Sequence, residues 1–132
     1  MVQAVERRWH EPDHGIWEAR LAPRHHVFSK VMCWMTVDRA VKNGRAARQW
    51  PLIRGLGRAA GHHRRGRAEE RLARGVGAYS VAYGDEDMDA SSLWIGLSGL
   101  LPDDDPRFLA TVLKIEADLR SGPVVYRYRW DD

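Results

Sequence analysis

The 132-residue chain has little cysteine, no long apolar run and few phenylalanines. Its single cysteine, Cys33, excludes an intramolecular disulfide, and the apolar residues around it are typical of a buried thiol rather than a nucleophile. No window approaches the roughly 18 apolar residues of a membrane span. The first residues, Met1 to Trp9, lack the apolar stretch of a secretory signal peptide. We therefore expect a cytoplasmic protein without a membrane segment, folded as one small domain over residues 1–132.

Lysine is also missing from one stretch of unusual composition, residues 45–74. This stretch holds nine arginines and only two acidic residues, so the rest of the chain is net acidic. It could be a solvated helical face, an aberrant segment produced by out-of-frame translation of a GC-rich gene, or a nucleic-acid-binding patch. No aromatic residue interleaves its central Arg/His cluster, which makes nucleic acid the least favoured partner. We interpret residues 45–74 as an aberrant or flexible part of the domain.

Apolar periodicity and capping signals predict an all-α fold with long irregular connections. Residues 1–27 are expected to be loop. The predicted helices are Phe28–Val41 with Ser29 as a possible cap, a buried helix Asp89–Leu101, and a helix that begins at the Asp105 cap with Pro106 and stops at Gly122-Pro123. Short extended segments are predicted at Tyr79–Tyr83 and Val124–Tyr128.

Histidine is present mainly as two adjacent pairs, His25-His26 and His62-His63. Neighbouring side chains on a helix or strand point in different directions, so neither pair has the spacing of a metal-binding motif. We expect no metal and no cofactor.

The sequence Gly15-Ile16-Trp17-Glu18-Ala19-Arg20 contains the clearest candidate for chemistry. Apolar cover raises the pKa of a glutamate and a nearby cation lowers it, so a carboxyl group between Trp and Arg can be tuned as an acid. A glycosidase general acid needs its protonated form near neutral pH. The same residues also describe a surface carboxylate paired with Arg20, and the motif alone favours this second interpretation.

Several ordered blocks resemble glycoside hydrolase family 15, the family of glucoamylases and trehalases. The Gly-Ile-Trp-Glu-x-Arg turn is followed by residues 24–40, which resemble a family helix starting near Phe-x-x-Ser-Lys and ending at Leu-Asp-Arg-Ala. Further blocks lie at residues 83–93, 99–107 and 125–128, whereas residues 45–78 keep only Trp50 and Gly77-Ala78-Tyr79.

The resemblance implies a partial (α/α)6 barrel in which Glu18 is the general acid, and Trp17 and Arg127 bind the sugar. It implies a parent enzyme that hydrolyses an α-glucosidic bond with inversion, in an α-linked glucose oligosaccharide or trehalose. Asp38 and Asp89 also match and are expected to be structural. No glutamate of this chain matches the catalytic base, so we expect the rest of the barrel to be missing and the chain to be inactive alone. The alternatives are a non-catalytic carbohydrate-binding or assembly module and, less favoured, an Arg-rich nucleic-acid binder.

Overall fold

The structure, a computed structural model, describes residues 2–43 and 77–129, and this part of the chain is mostly helical. Its elements are the α-helices α1 (Val2–Arg8), α2 (Val27–Lys42), α3 (Trp94–Ser98) and α4 (Pro106–Leu119), a 3-10 helix (Ala90–Leu93), and the strands β1 (Arg120–Ser121) and β2 (Val124–Val125). The strands form a two-stranded antiparallel sheet. The all-α prediction is therefore confirmed except for this small sheet. The Arg-rich stretch 45–74 and its competing interpretations lie outside the described residues.

The C-terminal helix α4 confirms its sequence signals. The Asp105 carboxylate accepts a hydrogen bond from the Arg107 backbone N–H at 2.9 Å, and Pro106 occupies the first turn. The Arg107 side chain donates to the same carboxylate, which lowers the pKa of Asp105. After the helix, the predicted stop Gly122-Pro123 forms the turn that pairs β1 with β2. Part of the predicted extended tail is thus a strand.

Helix α2 begins at Val27, one residue before the predicted start, so Ser29 lies within its first turn and is not its cap. The Ser29 hydroxyl donates instead to the Asp13 carboxylate. The prediction of a continuous loop over residues 1–27 is wrong at its start, where α1 forms. Residues 2–8 contain no Gly or Pro, and the first such residue that indicates a loop is Pro12.

The predicted helix Asp89–Leu101 is split into the 3-10 helix and α3. Gly99 has a φ of +76° and ends α3, because this left-handed conformation is readily adopted by glycine. The expectation of full burial for this segment was wrong, because in α3 the side chains of Leu97 and Trp94 are 72% and 41% exposed.

Two apolar clusters hold these elements together. Val27 and Val31 of α2 pack with Tyr79 and Ile95, which joins α2 to α3. Met88 packs with Ile115 and Leu119 of α4, under the 3-10 helix. Over residues 2–43 and 77–129, no helix is both long and apolar enough to cross a lipid bilayer.

Candidate active site

The loop that carries Trp17 and Glu18 is closed at its base. Asp13 and Arg24 exchange two backbone hydrogen bonds of 2.8 and 2.9 Å, which makes residues 13–24 a closed loop. The Asp13 carboxylate accepts from the Gly15 N–H at 2.8 Å and from the Ser29 hydroxyl at 2.6 Å, and the Lys30 ammonium lies 3.6 Å away. Because Ser29 and Lys30 belong to α2, these contacts fix the loop to the start of that helix.

The loop packs closely on His26. Gly15 has a φ of +71°, and a Cβ atom at this position would lie 2.9 Å from Nδ1 of the His26 ring. His26 is buried, and burial lowers its pKa by penalising the imidazolium, against the opposing effect of Asp13. A neutral ring therefore supports the loop, and the adjacent His25 turns away to stack on Tyr83 with centroids 5.6 Å apart.

Glu18 has an unusual backbone conformation. Among the described residues it is the one non-glycine residue with positive φ, at +52°. The left-handed conformation costs an L-residue about 1–2 kcal/mol, and such strain is concentrated at functional sites. Its side chain is exposed, which agrees with a surface carboxylate and not with apolar cover, but within residues 2–43 and 77–129 no ion pair joins it to Arg20. The next residue, Ala19, is buried, and its N–H donates a hydrogen bond to the His14 carbonyl at 3.0 Å.

Trp17 connects the loop to the second half of the chain. Its indole Nε1 donates to the Asp89 carboxylate at 2.9 Å, across 72 residues of sequence. Its ring lies 5.1 Å from the Arg127 guanidinium carbon and 6.2 Å from the centroid of the Tyr128 ring. The two predicted sugar-binding residues, Trp17 and Arg127, are therefore in contact, with Glu18 as the next residue in the chain.

Arg127 is held from its own side as well. Its guanidinium carbon lies 5.0 Å from the Tyr128 ring centroid, and its backbone carbonyl accepts from the Ala90 N–H at 2.9 Å. The guanidinium thus contacts two aromatic rings, a geometry in which cation–π attraction restricts its position. The residue as a whole is exposed.

The two aspartates that match the family blocks both have structural roles, but they make different contacts. Asp89 caps the 3-10 helix, as expected, by accepting from the Ser91 N–H at 2.7 Å. Asp38 lies near the end of α2 and pairs with Arg39 at 2.7 Å and Lys42 at 3.0 Å, also a structural role. Sequence reasoning missed the bond from Asp89 to Trp17 and the part that Tyr128 has in holding Arg127. The adjacency of Tyr128 to Arg127 in the Arg-Tyr motif was the available signal.

The chain belongs to a family of sugar hydrolases: the model of glycosyl hydrolases family 15 matches residues 1–132. It is 40% identical over 144 residues to the trehalase of Mycolicibacterium smegmatis, covering 99% of this chain and 20% of that protein. It is 39% identical over 137 residues to the trehalase of Mycobacterium tuberculosis, covering 97% and 19%.

More distant relatives agree. The trehalase of Thermoplasma volcanium is 30% identical over 139 residues, covering 100% of this chain and 21% of that protein. A solved glycosidase in complex with glucose is similar in fold, with a TM-score of 0.71 at 19% identity, covering 98% of this chain and 34% of that one. The resemblance to family 15 is confirmed, and the chain spans about a fifth of the length of these trehalases.

Proposed function

We propose that this chain supplies the acid side of a family 15 active site that hydrolyses an α-glucosidic bond, with trehalose as the favoured substrate. The observation that carries the proposal is the contact between Trp17 and Arg127, with the exposed Glu18 as the residue after Trp17. Family membership and the identity to trehalases over nearly the whole chain support it. By the same relationship, the complete catalytic domain is proposed to be an (α/α)6 barrel of which this chain is one part.

In the proposed mechanism Glu18 gives its proton to the glycosidic oxygen as the bond to the anomeric carbon breaks. A second carboxylate removes a proton from the attacking water on the opposite face of the sugar, which inverts the configuration. The two carboxyl groups of an inverting glycosidase lie roughly 6.5–9.5 Å apart. No carboxylate of this chain is assigned that second role, so the base is proposed to come from another part of the parent barrel, and the chain alone to be inactive.

Trp17 and Arg127 would bind the sugar in different ways. The Trp17 N–H is already committed to Asp89, so the carbon surface of the indole is what remains for the sugar. The Arg127 guanidinium is a planar fork of five donors, which suits paired hydroxyl groups. This division predicts that the glucose unit makes an apolar contact with Trp17 and directional hydrogen bonds with Arg127.

A chimera tests the role of Glu18 in a complete barrel. Residues 2–43 would replace the aligned segment of the Mycolicibacterium smegmatis trehalase, and release of glucose from trehalose would be measured. General acid catalysis contributes about a hundred- to ten-thousandfold, so Glu18→Gln should lower turnover by that factor. Glu11→Gln is the matched control, because Glu11 lies in the same segment and its exposed carboxylate pairs with Arg8. Equal activity of the two variants would refute the assignment.

The non-catalytic carbohydrate module remains a second candidate because Arg127 is exposed and Trp17 is partly exposed in the chain as it stands. Calorimetric titration of the 132-residue chain with trehalose and with maltose separates the two functions. Binding that is unaffected by Glu18→Gln, together with a chimera whose turnover is also unaffected by this change, would favour the binding module over the hydrolase.

A further inference from the structure

Asp89 uses both oxygens of a buried carboxylate. One oxygen, Oδ1, accepts from the Ser91 N–H at 2.7 Å, and this bond alone makes the residue an N-cap. The other, Oδ2, accepts from the Trp17 indole at 2.9 Å. Asp89 is only 3% exposed, so both bonds are shielded from water, where hydrogen bonds to an ionised group are strong. A cap needs one of these oxygens, and the second links the 3-10 helix to the loop of Trp17.

The residue after Asp89 holds the other predicted sugar-binding residue. The Ala90 N–H donates to the Arg127 carbonyl at 2.9 Å. Two consecutive residues therefore fix Trp17 by its side chain and Arg127 by its backbone, although these two residues are 110 positions apart in sequence. These two hydrogen bonds hold the Trp17 indole and the Arg127 guanidinium in contact.

We propose that Asp89 is a positioning residue of the active site, in addition to its role as a helix cap. It fixes the rotation of the Trp17 indole, and through this ring it sets the place of Arg127 and of the neighbouring Glu18. This inference rests on the proposed function for its consequence, which is sugar binding and cleavage. The link between Asp89 and Trp17 can be tested without any sugar.

Asp89→Asn separates the two roles. Asparagine caps helices about as well as aspartate, so its carbonyl oxygen can still accept from the Ser91 N–H. Its amide nitrogen then faces the Trp17 N–H, and two donors cannot bond. In amide and indole NMR spectra of the full chain, the Trp17 N–H signal, assigned by its loss in Trp17→Phe, should move and exchange with water at least about tenfold faster. The Ser91 amide signal should stay.

Asp38→Asn is the matched control, since Asp38 makes ion pairs on α2 and has no bond to Trp17. It should leave the Trp17 signal unchanged. In a trehalose titration, Asp89→Asn should raise the dissociation constant about tenfold and Asp38→Asn should not. Should Asp89→Asn fail to fold, Trp17→Phe tests the link from the other side, because it deletes the donor and leaves the cap intact. The Ser91 amide signal should then persist while the side-chain carboxylate ¹³C signal of Asp89 moves.

The outcomes are distinct. An unchanged Trp17 signal in Asp89→Asn would overturn the link, and so would an unchanged Asp89 carboxylate signal in Trp17→Phe. A changed signal with unchanged trehalose affinity would overturn the positioning role. A changed signal in a chain that binds no trehalose in any form would count against the proposed function and would support the link between Asp89 and Trp17.

Discussion

Gly15→Ala is expected to destabilise the chain through two separable effects. The φ of +71° is unfavourable for alanine by about 1–2 kcal/mol, and the new Cβ would meet the His26 ring at 2.9–3.1 Å. Overpacking of this kind costs typically about 1–3 kcal/mol. Alanine restricts the unfolded chain more than glycine does, which offsets about 0.4–1 kcal/mol of this loss. The net loss is about 1–5 kcal/mol, which is large beside the roughly 5–15 kcal/mol that stabilises an ordinary domain.

Gly84→Ala separates the two effects, because Gly84 has a φ of +75° but no described atom beyond its chain neighbours lies within 4 Å of the position that a Cβ would take. Thermal unfolding followed by circular dichroism should show Gly84→Ala losing about 1 kcal/mol or less and Gly15→Ala losing more by the overpacking cost of about 1–3 kcal/mol. Removing the ring in Gly15→Ala/His26→Ala should return most of the excess. Equal melting of the two single alanine variants would refute the steric part of this reasoning.

Three further predictions concern burial and strain. Thr111→Val should cost about 1–3 kcal/mol of unfolding free energy, because the buried hydroxyl accepts from the Tyr79 N–H at 2.8 Å, whereas Thr111→Ser keeps this acceptor. His26 has a lowered pKa in the folded state, so its contribution is present above the unfolded pKa of about 6.5 and is lost as pH falls through the folded value. Glu18→Gly should be more stable than Glu18→Ala by about 1 kcal/mol, since glycine adopts the positive φ without strain.

Chemical unfolding measures all three. Equal stability of Thr111→Val and Thr111→Ser would contradict the first prediction. For the second, the wild type should lose more stability than His26→Gln between pH 7.5 and pH 5.5, and parallel curves would count against it. A Glu18→Ala variant as stable as Glu18→Gly would show that the left-handed conformation at residue 18 stores no strain.

The elements that could be predicted from sequence are those whose signals are local. The Asp105-Pro106 start and the Gly122-Pro123 stop of α4 act within a few residues, so pattern and capping rules suffice. Helix α1 was missed because its seven residues carry no strong start or stop signal. The division of Asp89–Leu101 was missed because its apolar residues fit a helix of either winding, and packing on α2 and α4 decides between them.

The candidate site shows the same division between local and long-range information. Glu18, Trp17 and Arg127 were found through the family resemblance, which identifies residue types in order but gives no bond between them. The bond from Trp17 to Asp89 spans 72 residues, and no periodicity in the sequence connects those positions. The position of Asp89 before Ala-Ser-Ser is typical of a helix cap, which needs only one carboxylate oxygen. Nothing in the sequence indicates a partner for the second oxygen.

The contacts of the loop formed by residues 13–24 explain why substitutions in it are expected to lower the free energy of unfolding. Glu18 is held in an unfavourable backbone conformation, and its exposed side chain makes no hydrogen bond or ion pair within residues 2–43 and 77–129 that would offset this cost. The compensation lies in the neighbours: the Asp13 carboxylate at the base, the His26 ring beneath Gly15, and the Trp17 indole bonded to Asp89. Folding stability alone would favour glycine at position 18. A glutamate at this position is strained, and the surrounding contacts offset that strain. This arrangement is expected if the carboxyl group has the proposed role of general acid.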